Sequence, residues 1–324
     1  MENEILSIKN LSCDFLTVEG IVYALNGVNL NLHRGEIHGL AGESGCGKSV
    51  SSKAILGLVD RSRARIHGQI EFNGSNLLTL PEKAMRSIRG KRIAMIFQDP
   101  FNSLSPLETI GSQIEEAITN HFKHSRRELR LLTAALLEKV GLHPSVARQY
   151  PFELSGGMQQ RVMIAQAISC NPEILIADEP TTALDLTIQA QVLRLLKDLQ
   201  KELSLTVLLI THNIALLAGN CSRISIMYAG RIIETAAAKD IIEAPAHPYT
   251  RALIECIPNA ESRGSSKLPI IPGSAPRLHT PIIGCAFAPR CSLASEVCMQ
   301  KPDPGEISKG HTVSCHKVQN NAGT

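Results

Sequence analysis

The octapeptide Gly42–Ser49, Gly-Glu-Ser-Gly-Cys-Gly-Lys-Ser, is the feature that most constrains what this chain can fold into. It fits the pattern G-x-x-x-x-G-K-[ST], a loop whose backbone N–H groups wrap the phosphates of a nucleotide. Glycines are required because a side chain would hold the backbone away from the phosphate oxygens. The apolar segment Ile37–Ala41 precedes the loop, and a helical pattern follows it. Because an ordinary glycine-rich turn would not need this order, the sequence predicts an α/β nucleotide-binding fold.

Within this loop, some residues are expected to bind the nucleotide through their backbone N–H groups and others through their side chains. Lys48 is expected to reach the β- and γ-phosphates, and the Ser49 hydroxyl to ligand Mg²⁺. The helix that starts here favours anions at its N-terminus. The loop residues expected to cradle phosphates through their backbone are Gly42, Ser44, Gly45, Cys46 and Gly47.

Composition narrows the class of protein. An apolar content of 44% and a charged content of 19% predict a soluble globular protein of 324 residues, either two domains or one large domain with an appendage. A net charge of +3 and an aromatic content of 3% argue against nucleic acid as a partner. Acidic Glu2 and Glu4 follow Met1, and no apolar run is long enough to span a bilayer, so an intracellular protein without a secretory signal is expected.

Polar side chains directly follow three predicted buried strands. They are Gln98 after residues 92–97, the pair Asp178 and Glu179 after residues 173–177, and His212 after residues 205–210. In a largely parallel α/β sheet, ligands bind outside the carboxyl ends of the strands. We therefore expect these residues to gather around the nucleotide, beside the phosphate loop.

Each of these side chains has a chemical role and a simpler alternative. Asp178 fits a carboxylate that holds Mg²⁺, and Glu179 fits a general base for the attacking water. Gln98 fits a sensor of the metal and the water, and His212 a contact to the γ-phosphate. The alternatives are an acidic pair at the start of a loop, an ordinary loop glutamine and a satisfied core histidine.

The spacing of apolar residues predicts strands in the N-terminal part of the chain and helices from about residue 109 to 169. Short apolar segments separated by turns, at residues 5–8, 21–25 and 28–32, resemble a small antiparallel sheet. From about residue 109 to 169 the pattern is helical. Ser125 and Glu128 have the spacing of a capping box, and Asp185 can cap a later helix that carries one apolar stripe.

The run Leu154-Ser155-Gly156-Gly157-Met158-Gln159-Gln160-Arg161 predicts a second anion site. Ser155 is a natural N-cap, and Gly156 and Gly157 open the helix whose free N–H groups carry partial positive charge. The single phosphate loop accounts for one anion site, so the second anion site needs a separate explanation.

Taken together, the motifs resemble those of ATP-binding subunits of oligopeptide, dipeptide and nickel ABC importers, over about residues 5–316. The motifs that carry the resemblance are Gly42–Ser49, Gln98-Asp99-Pro100-Phe101-Asn102-Ser103-Leu104, Leu154–Gln160, Ile174–Glu179, Thr182-Ala183-Leu184-Asp185, His212 and Ala246-His247-Pro248-Tyr249-Thr250. The resemblance implies an ABC-type P-loop ATPase. Its RecA-like core would carry an antiparallel β subdomain and an α-helical subdomain (about 109–169), all within residues 1–240. A small Cys-containing C-terminal extension (241–318) and a tail (319–324) would follow.

The family resemblance also implies an activity and partners. The chain would be an ATP hydrolase that uses Mg²⁺ and powers peptide import. ATP would be sandwiched between the phosphate loop of one ATPase subunit and the signature helix (Ser155, Gly156, Gly157) of another, in a heterodimer or a homodimer. Two membrane permease subunits would bind it at the cytoplasmic face of the inner membrane, through the segment that follows Gln98 to about Gly111; the alternative for this segment is an ordinary surface loop. An extracytoplasmic solute-binding protein would act indirectly. Phe15 is expected to stack on adenine, with Tyr23 as the alternative.

Other functions remain open within this resemblance. A nickel or other small-solute importer would use the same ATPase, because substrate specificity resides mostly in the binding protein and the permease. A soluble ABC ATPase that acts on DNA or ribosomes would usually have two cassettes or a long coiled-coil insertion, and this sequence has neither.

Four of the nine cysteines lie near the C-terminus: Cys285, Cys291, Cys298 and Cys315. In a reducing compartment, clustered cysteines ligand a metal more often than they form disulfides. Their spacing matches neither zinc ribbons nor ferredoxins, so spacing alone leaves zinc and iron–sulfur open. The family resemblance favours a [4Fe–4S] cluster that cross-links and stabilises the extension, with zinc as the alternative.

Overall fold

The computed structural model describes residues 3–99, 103–182, 184–257 and 270–319. These residues form two compact units. The first lies within residues 1–33, 38–78 and 211–324, and the second within residues 34–37 and 79–210. None of the helices in the described ranges is long and apolar enough to cross a membrane.

Along the described part of the chain, one to three strands are followed each time by one to three α-helices. The strands are β1 Glu4–Thr17, β2 Gly20–His33, β3 Ile37–Ala41, β4 Ala64–Phe72, β5 Ser75–Asn76, β6 Ile93–Ile96, β7 Ile174–Asp178, β8 Thr206–Thr211, β9 Arg223–Tyr228, β10 Arg231–Ala237, β11 Gly305–Ser308 and β12 His311–Val313. The α-helices are α1 Lys48–Ile55, α2 Glu82–Ile88, α3 Ile110–Thr119, α4 Arg126–Lys139, α5 Gly156–Ile168, α6 Leu186–Leu203, α7 Ile214–Ala218, α8 Ala238–Glu243, α9 Pro248–Glu255 and α10 His316–Gln319. Short 3-10 helices include Pro144–Arg148, Pro151–Glu153, Ala288–Arg290 and Glu296–Met299.

An antiparallel sheet in the order β2-β1-β4-β5 forms one part of the first unit. The two segments 21–25 and 28–32, expected as separate strands, are one strand, β2. It bends instead of breaking because Gly27 adopts a φ of 75° and donates its N–H to Ser12 Oγ at 3.0 Å. The turn between β4 and β5 is Asn73-Gly74, with φ of 46° and 78°. An Asn-Gly pair between two strand patterns predicts a two-residue hairpin turn, which requires positive φ at both residues.

A second run of strands in the first unit has the order β11-β12-β10-β9-β3. β3 pairs with β9 in parallel, whereas β9, β10, β12 and β11 pair antiparallel. Every residue of β3 is buried. The phosphate loop therefore begins at the end of a strand that the core holds in place.

The second unit contains the parallel strands β8, β7 and β6, in that order, and most of the helices. β7 and β8 are buried throughout, which explains their uninterrupted apolar sequence. The predicted capping box is present at α4: Ser125 Oγ accepts from Glu128 N–H, and Glu128 accepts from Ser125 N–H. Asp185 caps α6 by accepting from Thr187 and Ile188 N–H at 3.0 Å.

A buried carboxylate ties the C-terminal segment to β10. Glu234 accepts the N–H groups of Ala246 and His247 at 2.7 and 2.9 Å, and it contacts His311 Nε2 at 2.7 Å. Burial lowers the pKa of His247 to about 3. Its neutral Nδ1 accepts from Tyr249 N–H at 3.0 Å and so caps α9.

Candidate functional site

The phosphate loop is closed by its own lysine. Lys48 Nζ donates to the carbonyl oxygens of Gly42 and Glu43 at 2.8 and 2.9 Å, and the lysine is 5% exposed. Gly47, with a φ of 109°, precedes the first helical residue of α1. The ammonium is thus held against the loop whose N–H groups would face a phosphate.

Two loop positions require glycine for steric reasons. A Cβ at Gly42 would lie 2.1 Å from the carbonyl oxygen of Met227, and one at Gly47 would lie 2.7 Å from that of Ala24. Both contacts are with backbone, which cannot rotate away as a side chain can. The neighbouring strands therefore impose the glycines that the motif contains.

A cavity of about 660 Å³ lies beside the loop within the first unit. Its lining includes loop residues 43–46 and residues 275–279 of the C-terminal segment. The Tyr23 N–H donates to the Leu278 carbonyl at 2.7 Å, which attaches that segment to β2. Sequence reasoning placed residues 275–279 in a separate extension, and no local motif marks them as neighbours of the loop.

The residues proposed to stack on adenine both lie on the antiparallel sheet. Phe15 pairs with Val22 across β1 and β2, and Tyr23 pairs with Asp14. Both aromatic side chains are half-buried.

In the second unit, three polar side chains meet at the end of β7. Glu179 Oε2 accepts from Gln98 Nε2 at 2.8 Å and from Thr182 Oγ1 at 3.0 Å. Asp178, the last residue of β7, is 3% exposed. The structure thus brings Gln98 and Glu179 together, as their positions at strand ends suggested. It also places Thr182 at this carboxylate, a contact that the motif containing Thr182 did not predict.

The backbone of Glu179 is unusual. Its φ is 49°, a left-handed conformation that is uncommon for a residue with a side chain. Its N–H donates to the Ile210 carbonyl at 2.9 Å, which holds this turn on β8. Such backbone outliers concentrate at functional sites, and here the turn aims the carboxylate at Gln98.

His212 directly follows β8 and belongs to the first unit. Its side chain is exposed. The preceding Thr211 accepts Asn213 N–H through Oγ1 at 3.1 Å, and Asn213 caps α7. The turn is therefore well defined, and the imidazole is not a core side chain.

The signature helix α5 begins as predicted. Ser155 Oγ accepts from Met158 N–H at 3.4 Å, and Gly156 and Gly157 are the first helical residues. A Cβ at Gly157 would lie 2.9 Å from Ile188 Cγ2 of α6. Glycine at this position thus permits close packing of α5 and α6.

The four late cysteines gather in one region of the first unit without forming a metal cage. Cys285 N–H donates to the Cys298 carbonyl at 2.9 Å. Burial raises the pKa of the Cys285 and Cys291 thiols, and Cys298 and Cys315 raise both further. All four are free thiols. Among the described residues, which include these cysteines, no group of three or more His, Cys, Asp or Glu side chains could hold a metal ion.

Two of the motifs extend beyond the described residues. Pro100, Phe101, Asn102 and Ala183 lie outside the described residues, as do Met1, Glu2 and residues 258–269 and 320–324. The tail proposed at 319–324 is therefore described only at Gln319.

Two family models match the chain. Residues 25–182 match the model described as ABC transporter, and residues 233–298 match the model described as oligopeptide/dipeptide transporter, C-terminal region. Together they cover the phosphate loop, the strand-end acids and most of the cysteine-bearing segment.

Curated relatives align over nearly the whole chain. The dipeptide transport ATP-binding protein DppD of Bacillus subtilis (strain 168) is 44% identical, covering 96% of this chain and 94% of the relative. The oligopeptide transport ATP-binding protein OppD of the same organism is 45% identical, covering 95% and 87%.

A solved structure shares the fold. It is the dimeric, post-hydrolysis state of an ATP-binding cassette bound to ADP and Pi, with a TM-score of 0.65 and 31% identity. The match covers 72% of this chain and 98% of that one. The predicted fold, an α/β ABC-type ATPase, is confirmed.

Proposed function

This chain belongs to the ATP-binding proteins of peptide ABC transporters, and we propose that it hydrolyses ATP to power the import of di- or oligopeptides through a membrane permease. The observation that carries the proposal is the presence, in one chain, of the cassette match and the oligopeptide/dipeptide C-terminal match. The alignment with DppD and OppD over both regions supports peptides as the transported class.

The residues of the phosphate loop are assigned to substrate binding. The backbone N–H groups of Gly42, Ser44, Gly45, Cys46 and Gly47 bind phosphate oxygens, and Lys48 supplies positive charge to the β- and γ-phosphates. The adenine stacks on Phe15, with Tyr23 as the alternative.

The Ser49 hydroxyl and the Asp178 carboxylate suit a hard cation such as Mg²⁺, with Gln98 as a further oxygen donor. When bound, Mg²⁺ neutralises phosphate charge. Glu179 accepts the proton of the attacking water as general base. The hydrogen bond from Gln98 to Glu179 supports a shared task at this carboxylate. His212 contacts the γ-phosphate and stabilises its developing charge.

A second ATPase subunit completes the site in this proposal. The signature residues Ser155, Gly156 and Gly157 of one subunit bind the ATP held by the phosphate loop of the other, in a heterodimer or a homodimer. The free N–H groups at the start of α5 suit an anion. Two permease subunits hold the pair at the cytoplasmic face of the inner membrane, near residues 98–111, and an extracytoplasmic solute-binding protein delivers the peptide.

The transported class can be tested by uptake. We expect cells that lack this chain to lose accumulation of a labelled dipeptide or tripeptide, and a plasmid copy to restore it. A Lys48→Ala copy, expressed to the same level, should not restore it, because the phosphates lose their positive partner. Normal peptide uptake together with lost nickel uptake would replace the peptide proposal with the small-solute alternative.

We also propose, from the family resemblance, that the extension binds a [4Fe–4S] cluster, with zinc as the alternative. The proposed ligands are Cys285, Cys291, Cys298 and Cys315. The proximity of the four thiols supports it. Against it, no three side chains in the described part of the chain are arranged to hold a metal ion.

Metal content decides between these possibilities. We expect protein purified without oxygen to be brown and to contain iron and sulfide, and Cys298→Ser to lose both. Cys256→Ser, which changes a cysteine outside the group of four, serves as the control and should keep the colour. Colourless protein with zinc would select the alternative, and metal-free protein would refute both.

A further inference from the structure

The phosphate loop is joined to the C-terminal segment through Glu43, the second residue of the motif. Arg290 Nη1 donates to Glu43 Oε1 and Oε2 at 3.0 and 3.1 Å. Only 8% of the Arg290 side chain and 26% of the Glu43 side chain are exposed. An ion pair so shielded from water is screened much less than a surface pair, and loss of one partner leaves a charge without compensation.

Arg290 is itself fixed from several directions. Its Nη1 also donates to Tyr228 Oη at 3.1 Å, and its Nε donates to the Pro272 carbonyl at 2.8 Å. The guanidinium carbon lies 5.9 Å from the ring centroids of both Tyr228 and Phe287. These contacts hold the guanidinium in one orientation, so it can constrain the carboxylate it binds.

The backbone of Glu43 is held as well. Its N–H donates to Tyr249 Oη at 3.2 Å. Tyr249 packs against Tyr228 and Phe287, with ring centroids 4.5 and 5.3 Å apart, and it is fully buried. The side chain and the main chain of one loop residue are thus both anchored by residues beyond 240.

The same residue takes part in closing the loop. The Glu43 carbonyl, with that of Gly42, accepts the Lys48 ammonium. A shift of Glu43 therefore moves an acceptor of the lysine that the proposed function assigns to the phosphates. Anchoring Glu43 keeps both the loop and Lys48 in place before a nucleotide arrives, which lowers the cost of ordering the loop on binding.

We propose that Arg290, together with the Tyr249 hydroxyl, is a positioning residue for the phosphate loop, so that the C-terminal extension sets the affinity of this chain for MgATP. The inference rests on the proposed ATPase function and deepens it. Arg290 does not touch the nucleotide in this account; it acts through Glu43.

A double-mutant cycle tests the proposal, with MgATP as the probe and displacement of a fluorescent ATP analogue as the measurement. Arg290→Gln and Glu43→Gln should each weaken MgATP binding about tenfold, in keeping with the loss of one hydrogen bond between charged groups. The double variant should be no weaker than either single variant, because both remove the same interaction. Arg290→Lys should restore part of the affinity, since it keeps the charge but not the planar guanidinium that bonds Glu43 and the Pro272 carbonyl at once.

Steady-state hydrolysis separates positioning from general damage. The KM for ATP should rise more than kcat falls when each variant is assayed well below its own thermal midpoint, so that unfolding does not contribute to the difference. Arg251→Gln changes an exposed arginine whose side chain donates to the Pro245 carbonyl at 2.8 Å, and this variant should behave as the wild type.

The outcomes distinguish this inference from the function on which it rests. Wild-type protein that does not bind MgATP would refute the proposed function. Wild-type protein that binds MgATP, with unchanged affinity in Glu43→Gln and Arg290→Gln or with additive losses in the double variant, would overturn the positioning role alone.

Discussion

Replacing Glu179 with glutamine should reduce ATP hydrolysis by at least about 100-fold while leaving MgATP binding nearly unchanged. The amide has the size and shape of the carboxylate, and its oxygen can still accept from Gln98 and Thr182, whose donors lie 2.8 and 3.0 Å from Glu179 Oε2. It cannot accept a proton from water. The variant thus removes the proposed base without removing the surrounding contacts.

Two measurements check this expectation. Phosphate release under saturating MgATP gives the rate, and sedimentation of the variant with its partner ATPase subunit reports dimer formation. We expect the variant to persist as an ATP-bound dimer, because ATP that is not hydrolysed keeps the subunits together in the proposed arrangement. Glu202→Gln, which breaks only a surface ion pair with Lys139, is the matched control. Undiminished phosphate release by Glu179→Gln would remove Glu179 from the role of base.

A single methyl group at Gly42 should abolish most nucleotide binding. The Cβ of Gly42→Ala would lie 2.1 Å from the Met227 carbonyl oxygen and 2.8 Å from Cys46 Sγ. Met227 is fully buried in β9, so the loop must move away from the strand. That movement displaces the Gly42 carbonyl, which accepts the Lys48 ammonium. Since a displacement near 1 Å at a site can cost about 100-fold, we expect the Kd for MgATP to rise by about that factor.

Gly35→Ala separates this steric effect from ordinary backbone strain. Gly35 has a positive φ, 70°, but among the described residues no atom outside its chain neighbours lies within 4 Å of the position that its Cβ would take. It should lose about 1–2 kcal/mol of stability and bind MgATP normally. Titration of a fluorescent ATP analogue and thermal unfolding of both variants provide the comparison. Wild-type affinity in Gly42→Ala would show that the loop tolerates the shift and would contradict the steric argument.

Features encoded by neighbouring residues were predictable. The capping box at Ser125 and Glu128, the N-cap at Asp185 and the turn at Asn73-Gly74 all appear where their patterns indicated. Each is closed by hydrogen bonds or dihedral preferences within four residues, so the signal and the structure occupy the same stretch of chain.

Bends in long strands were harder to foresee. The break expected between residues 25 and 28 is a bulge, because Gly27 keeps a hydrogen bond to Ser12 across the sheet. A glycine inside an apolar pattern is compatible with a turn or a bulge. Which of the two forms depends on how the neighbouring strand pairs with this segment, and the sequence of the segment alone does not give that register.

The sequence by itself determined the nucleotide-binding motif, the buried strands that end on polar side chains, and the residue types available for chemistry, since these depend on local spacing and side-chain chemistry. Only the tertiary structure decided which distant residues act on one another. The hydrogen bond from Gln98 to Glu179 joins residues 81 positions apart, and that from Arg290 to Glu43 joins residues 247 apart. No periodicity spans such separations. The pairings arise because the packing of buried strands and aromatic rings brings side chains from distant segments within hydrogen-bond distance. For Arg290 and Glu43 this packing also shields the ion pair from water, since 8% of the Arg290 side chain is exposed.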